Sequence, residues 1–324
     1  MISDEIPVWL FASLLIVVGL LLTAPVSFRL AIARWPRRSP RPALVLWQAV
    51  CLAAGFSVVA GLVVLAVEPL GDWLLGGAWN WFAAVLEGTL DVPAWRLMCG
   101  LLAMAMAGLL LIVLVRTALM IGRRRRAHRR VLDLLTGSTA PRSSRRLTRP
   151  ADVRILDHRA AVAYTVPGWH SRVVLSAGLV ELLTEDELKA VVEHERAHLR
   201  ARHDLLVLPF QAWAVALGWV PGVRPAGAAV SELTEMLADD AAAGRTSCAA
   251  LASALAKVAL SGPPPPVPAG RLADSPAIAG TAVVDRVRRL LDPDPLSRWQ
   301  VAGVYGLSLL MLAIPASVLL LHWG

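Results

Sequence analysis

Residues 184–203 read TEDELKAVVEHERAHLRARH, a stretch with helical hydrophobic period that opens on a start signal. Thr184 precedes Glu185-Asp186-Glu187, a capping box in which Thr184 and Glu187 satisfy each other's free backbone donors, so a helix is expected from residue 185 to about 203. On it sits His194-Glu195-Arg196-Ala197-His198. At about 3.6 residues per turn the two imidazoles stack on one face, one turn apart, and both can reach a single Zn²⁺. Glu195 lies beside them, where its carboxylate can take a proton from a metal-activated water instead of binding the ion. The competing reading is a solvated helix face with two incidental histidines.

Zinc wants a third protein ligand and an open position for water. Glu235 is preferred, in Ser231-Glu232-Leu233-Thr234-Glu235-Met236-Leu237-Ala238-Asp239, because Asp239 follows one helical turn later and can accept the spare N–H of a ligating histidine. Glu232 is the rival ligand, but it has no acid four residues on. The expected cofactor is one Zn²⁺ per chain, on His194, His198 and Glu235, with Glu195 as base and Asp239 behind the ligands. Tyr164 and His203 are candidates for stabilising the oxyanion, although His203 and Asp204 read first as helix-terminus and turn residues.

Upstream of the motif helix, β-branched stretches at 153–156, 161–166 and 172–176, with a Pro167-Gly168 break, suggest a small antiparallel sheet. Residues 205–220 are apolar and end in Pro221-Gly222; they are too short for a confident crossing, and form either a buried helix or one lying partly in the membrane. The stretch 261–276, with Pro263 to Pro266 in succession, is expected to be an extended linker and a candidate self-cleavage site.

Composition sets this region in its surroundings. Of 324 residues 56% are hydrophobic and 17% charged, against a usual charged share of about 25%, which disfavours an ordinary soluble globule. Four apolar runs at about 8–28, 43–67, 97–115 and 301–321 each approach the roughly 20 residues that cross a bilayer. The first is preceded by Asp4 and Glu5 and followed by a poor cleavage site, so it reads as a retained span, not a signal peptide.

Arg29, Arg34, Arg37, Arg38 and Arg41 after the first run, the arginines from 116 to 130, and those from 286 to 298 place these connections inside; the acidic connection 68–96 falls outside. Both termini are then external. The tryptophans near the run ends fit the headgroup level, and Trp73, Trp79 and Trp81 read as a loop lying on the bilayer. The net charge of +8 is thereby a membrane-orientation signal, with no direct nucleic-acid partner expected. Cys51 and Cys99 lie in apolar runs and Cys248 stands alone, which gives neither a disulfide framework nor a cysteine metal site.

The expected organisation is an α-helical polytopic membrane protein with four transmembrane helices and a cytoplasmic α+β zincin-like (gluzincin) metalloprotease domain. Three spans fill 1–122, a helix running on from the third span and then a basic linker 123–150, the zinc domain 151–260, a Pro-rich linker and basic helix 261–300, and the fourth span 301–321.

From Glu187 to Ala242 the residues His194-Glu195-x-x-His198, then Asp204 with an apolar run ending in Trp219-Val220-Pro221, then Glu235-x-x-Ala238-Asp239, resemble the BlaR/MecR-type antirepressor membrane metallopeptidases. Their zinc domain is also similar to that of CAAX-prenyl and HtpX-type membrane proteases. The resemblance implies that His194, His198 and Glu235 ligate zinc and that Glu195 is the catalytic base. It further implies a bacterial cytoplasmic membrane, a protein substrate, typically a small winged-helix BlaI-like repressor, and room for a homodimer. Sensor members continue past the fourth span into an extracellular penicillin-binding domain, whereas this sequence ends at Gly324, so β-lactam sensing is not carried over. Two other functions compete: membrane-protein quality control, and a catalytically silent signalling scaffold. A transporter is disfavoured because the runs contain no intramembrane acid.

Overall fold

The computed structural model describes residues 7–136, 153–166, 172–262, 276–320 and 322. Four of its helical stretches are long and apolar enough to cross a membrane: Val8–Ile32, Pro40–Leu70, Ala94–Arg123 and Arg298–Ser317. They suggest a membrane protein.

The first stretch is not a uniform helix. Helix α1 (Val8–Leu21) passes through a π turn (Leu22–Val26) into α2 (Ser27–Ile32). Pro25 inside the turn lacks an N–H and its ring crowds the preceding turn, which opens the ladder. The Ser27 hydroxyl donates to the Leu22 carbonyl at 2.6 Å and satisfies one acceptor there. A short α3 (Trp35–Arg38) then leads to α4 (Pro40–Val67), whose two prolines sit in the first turn, where no N–H is needed.

Helix α4 is the central element. Trp47, Val50, Ala53 and Ala54 on it are buried, and its small residues let α1 come close. At Gly61 a Cβ would stand 2.6 Å from the Ala12 carbonyl oxygen, so only glycine permits the observed approach.

Residues expected to form a loop on the bilayer instead form α5 (Leu74–Glu87), which buries Trp81 and leaves Trp79 exposed. Its left-handed C-terminal Gly88 (φ 68°) closes the helix. The third stretch continues unbroken as α6 (Ala94–Thr136), carrying the helix through the arginine cluster as expected; residues 137–150 of the basic linker lie outside the described residues.

Three strands follow, β1 (Val153–Leu156), β2 (Ala163–Val166) and β3 (Arg172–Ser176), in the order β1-β3-β2. The expected all-antiparallel sheet is corrected here. β2 pairs antiparallel with β3, but β1 pairs parallel with it. The chain reverses between β1 and β2 and again between β2 and β3, so the first and last strands run the same way. β3 takes the centre because Val173, Val174 and Leu175 are all buried, the mark of a strand covered on both faces. β2 begins two residues later than expected, and the Pro167-Gly168 break lies outside the described residues.

Helices α7 (Ala177–Leu182), α8 (Glu185–Ala201), α9 (His203–Leu217), α10 (Val223–Ala243) and α11 (Cys248–Leu260) come next. After 263–275, which lie outside the described residues together with the proposed linker and cleavage site, come α12 (Pro276–Leu291) and α13 (Arg298–Ser317). One hydrophobic cluster joins the halves of the chain. Ala43, Trp47, Val50 and Ala54 of α4 pack with Phe210 and Trp213 of α9 and with Val230, Leu233 and Met236 of α10. The apolar stretch after the motif helix is therefore a helix wedged against the second candidate span. Leu205, Val215 and Trp219 stay exposed on its outer side.

Candidate metal centre

The capping box that starts α8 is present in full. Thr184 Oγ1 accepts from the Glu187 backbone at 3.4 Å, and Glu187 Oε2 accepts from the Thr184 backbone at 2.7 Å. Glu187 has a further task, since Ser253 Oγ and Lys257 Nζ on α11 donate to it at 2.6 and 2.8 Å. Burial alone would raise its pKa; the hydrogen bonds from Lys257, Ser253 and Thr184 outweigh this and hold the carboxyl down at about 2. One side chain thus starts the motif helix and anchors it to α11.

Helix α8 ends at Ala201, two residues before its expected end. Arg202 adopts φ 47°, the only positive φ of a non-glycine among the described residues, and the chain turns so that His203 opens α9. The turn folds His203 back over the motif. Its Nδ1 lies 3.0 Å from His198 Nδ1 and the ring is buried, so this terminal residue is also part of the site.

The two motif imidazoles point their Nε2 atoms at each other, 3.2 Å apart. Glu235 on α10 completes the group, with Oε2 3.4 Å from His194 Nε2 and Oε1 3.5 Å from His198 Nε2. Ligand atoms arranged tetrahedrally at about 2.0–2.1 Å from a zinc ion stand about 3.3–3.4 Å from one another, so the spacing fits such an ion. His194, His198 and Glu235 are also the cluster among the described residues with the donor set and proximity to hold a metal.

Charge agrees with this geometry. Burial would lower the His194 pKa, but Asp239 and then Glu235 outweigh it and raise it to about 9, so the cluster attracts a positive charge. His203 moves the other way: burial, then His198, pushes it down to about 4 and keeps it neutral. A neutral His203 can accept a hydrogen bond from His198 Nδ1–H, the tautomer that leaves the His198 Nε2 lone pair free for a cation.

Asp239 stands behind His194, with Oδ1 2.9 Å from Nδ1, although the pair falls short of strict hydrogen-bond alignment. It is itself gripped by Arg286 on α12, whose Nε and Nη2 donate to Oδ2 and Oδ1, both at 2.7 Å. Arg286 Nη1 also lies 3.4 Å from Glu235 Oε2, and the guanidinium feels the charge of Glu195. Arg286 was missed by sequence reasoning: it is remote in sequence from the motif helices, and no spacing rule connects them.

The remaining candidates separate clearly. Glu232, the rival ligand, is turned to Arg37, which donates to its two oxygens at 2.8 and 3.1 Å. Glu195 is 5% exposed, and its Oε2 has no hydrogen-bond partner among the described residues, leaving a buried acceptor oxygen unsatisfied. Tyr164 lies on β2, packed with Val174 and Leu156.

The site and its surroundings form a candidate metal centre held against apolar, membrane-length helices. Residues 122–256 match the model of Peptidase family M48, and the matched stretch contains the metal-centre residues His194, Glu195, His198, Glu235 and Asp239. The match supports a metallopeptidase; it stops short of Arg286 and of the fourth apolar helix. No curated protein and no solved structure matches the chain.

Proposed function

We propose that the protein is an integral-membrane zinc endopeptidase of the HExxH gluzincin type. The observation that carries this reading is the convergence of His194 Nε2, His198 Nε2 and Glu235 at tetrahedral ligand spacing, next to a buried carboxylate with an unsatisfied oxygen.

His194, His198 and Glu235 would hold the ion, while Asp239 and His203 set the ring orientations from behind. When bound, zinc supplies Lewis acidity toward the scissile carbonyl and lowers the pKa of water toward about 7. Glu195 accepts the proton of the attacking water and returns it to the leaving amine nitrogen. An extended peptide can add its backbone to the outer edge of β2, the edge strand among the described residues that packs beside α8.

The role proposed is regulatory: cleavage of a cytosolic transcriptional repressor, together with cleavage of the chain itself. Support for this is the resemblance to antirepressor peptidases and the order of elements, three apolar membrane-length helices, the metal region, then a fourth. In the same reading the protein lies in a bacterial cytoplasmic membrane with both termini outside, following the arginine distribution.

Comparison of new protein amino termini in cells carrying wild type or Glu195→Gln tests the proposal. A Glu195-dependent cut in a DNA-binding repressor is expected. Many cuts in membrane proteins would replace the regulatory role with quality control, and no difference between the strains would remove the peptidase reading.

A further inference from the structure

Between Asp204 and Arg224 the chain carries no charged residue. Helix α9, which fills most of this stretch, has 15 residues and is about 22 Å long, short of the roughly 30 Å of a hydrocarbon core, so it does not cross a bilayer. Its outer side is nevertheless apolar. From His203 to Val220 the exposed residues are Leu205, Val215 and Trp219, at 51, 65 and 81% exposure. The motif helix beside it shows what a water-facing surface looks like in this chain: apart from its last residue, α8 exposes only charged side chains, Glu185, Asp186, Lys189 and Arg200. A helix that is apolar on its covered side and on its outer side belongs in a protein core or in lipid, and among the described residues no protein covers the outer side of α9.

The neighbours of this segment fix its depth. Near its start, the Gln48 side-chain amide donates to the Leu206 carbonyl at 2.8 Å, and Phe210 meets Trp47 edge to face with ring centroids 6.1 Å apart. Gln48 lies about 12 Å along the stretch that begins at Pro40. Near its end, a Cβ at Gly222 would stand 2.7 Å from the Ala24 carbonyl oxygen and 3.0 Å from the Phe28 backbone nitrogen, about 6–12 Å before the first stretch ends at Ile32. Leu110 of the third stretch packs against the same cluster as Phe210 and Trp213. Both ends of the segment therefore stand inside the ends of membrane-length helices and at similar depth, so α9 lies across those helices, close to the plane of a bilayer they would cross.

The chemistry of the turn suits that level. Pro221 and Pro225 have no N–H to leave unsatisfied, and the Val220 and Val223 N–H groups donate to the Leu217 and Val220 carbonyls at 2.8 and 3.3 Å. Trp219 and Arg224, both exposed, flank the turn as an amphipathic ring and a long cationic side chain able to reach the headgroups. An apolar helix lying in the plane of a membrane settles about 5–10 Å into the boundary between headgroups and acyl chains, which matches the depth set by Gln48 and Phe28.

We propose that α9 and its turn form a membrane-inserted helix that does not cross, with Leu205, Val215 and Trp219 against lipid acyl chains at the face where Val8–Ile32 ends and Pro40–Leu70 begins. The inference rests on the reading that the four apolar helices cross a bilayer, and is independent of peptidase activity. His203, which opens α9, is buried against His198, so the same placement brings the candidate metal centre to that face of the membrane.

The test is spin labelling of the full chain in bilayers of phosphatidylcholine and phosphatidylglycerol, in a background carrying Cys51→Ala, Cys99→Ala and Cys248→Ala. Single labels are placed through Leu205→Cys, Val215→Cys or Trp219→Cys; Leu109→Cys, on the exposed side of α6, marks lipid and Lys189→Cys marks water. Power saturation compares collision with oxygen, which concentrates among acyl chains, and with a nickel chelate, which stays in water. The oxygen-to-nickel ratio at the three α9 positions is expected to lie several-fold above that at Lys189 and below that at Leu109. A ratio equal to that at Lys189, with Leu109 in lipid, overturns the proposal and leaves the crossing helices standing. A water-like ratio at Leu109 as well removes the membrane reading on which the proposal rests. Shielding of the α9 labels from both reagents means that a second copy or another protein covers this side, and also overturns it. The wild-type chain is tested without substitution by photolabelling from a diazirine in the lipid acyl chain. Adducts are expected between Leu205 and Trp219; adducts on α6 with none there would overturn the proposal even if a labelled variant fails to fold.

Discussion

At the scale of single residues, the arrangement behind His194 decides how the metal centre is held. Asp239 is 1% exposed and takes both of its hydrogen bonds to Arg286 at 2.7 Å, so removing the arginine leaves a buried carboxylate without its cation. Loss of one partner of such a pair costs about 3–5 kcal/mol, and Arg286→Ala should lower the melting temperature accordingly. It should also weaken zinc binding by roughly 10- to 100-fold, measured by competition with a chromophoric chelator, as should Asp239→Ala. Because both substitutions break the same chain of contacts, the double variant should bind zinc little worse than either single one; additive losses would mean that the clamp and His194 act independently. Arg286→Lys restores charge but not the two-pronged geometry, and should recover only part of the affinity. The helical spacing of His194, Glu195, His198, Glu235 and Asp239 was legible in the sequence because i, i+4 neighbours share a face. Arg286 was not, because a pairing between distant segments leaves no periodic trace, and the same holds for Arg37, whose contact with Glu232 accounts for the orientation of that residue.

At the scale of elements, the motif helix depends on both of its ends. Glu187 has its pKa depressed from 4.5 to about 2 in the folded chain, so its stabilising contribution is complete above about pH 4.5 and is lost as pH falls toward 2. Glu187→Gln should therefore cost about 1–3 kcal/mol at neutral pH. The difference in melting temperature from wild type should shrink as pH is lowered from 6 to 3; a gap that stays constant would contradict the assigned ionic role. At the junction between α9 and α10, Gly222 has φ 97°, and a Cβ there would stand 2.7 Å from the Ala24 carbonyl oxygen in the π turn. Gly222→Ala should destabilise by about 1–3 kcal/mol through backbone strain alone, with the close contact adding to it. The capping box was readable from four adjacent letters, Thr184 to Glu187. Strand direction was not: the parallel pairing of β1 with β3 follows from chain reversals, which short strand patterns do not encode. Residues 74–87 misled because tryptophans on an amphipathic helix and on a surface loop give similar composition.

For the whole molecule, helices α9 and α10 share one core with the second apolar helix. Phe210, Trp213, Val230, Leu233 and Met236 bury against Trp47, Val50 and Ala54, so the region of the candidate metal site is not closed without the membrane-length helices. A fragment of residues 151–260 exposes this face and should aggregate or fail to melt cooperatively; a monomeric fragment with a sharp thermal transition would show that the region folds alone. The four apolar runs stood out from composition, and their existence matches four helices of membrane length. The way α9 and α10 seat against them was hidden, since a 15-residue apolar helix can face a protein core or lipid equally well.

The central claim is that His194, His198 and Glu235 form a single zinc site served by Glu195. Its most direct test is the zinc content of purified full-length chains. The account predicts one zinc per chain in wild type and in Glu195→Gln, and its loss from Glu235→Ala. Zinc retained at full stoichiometry in Glu235→Ala would contradict it.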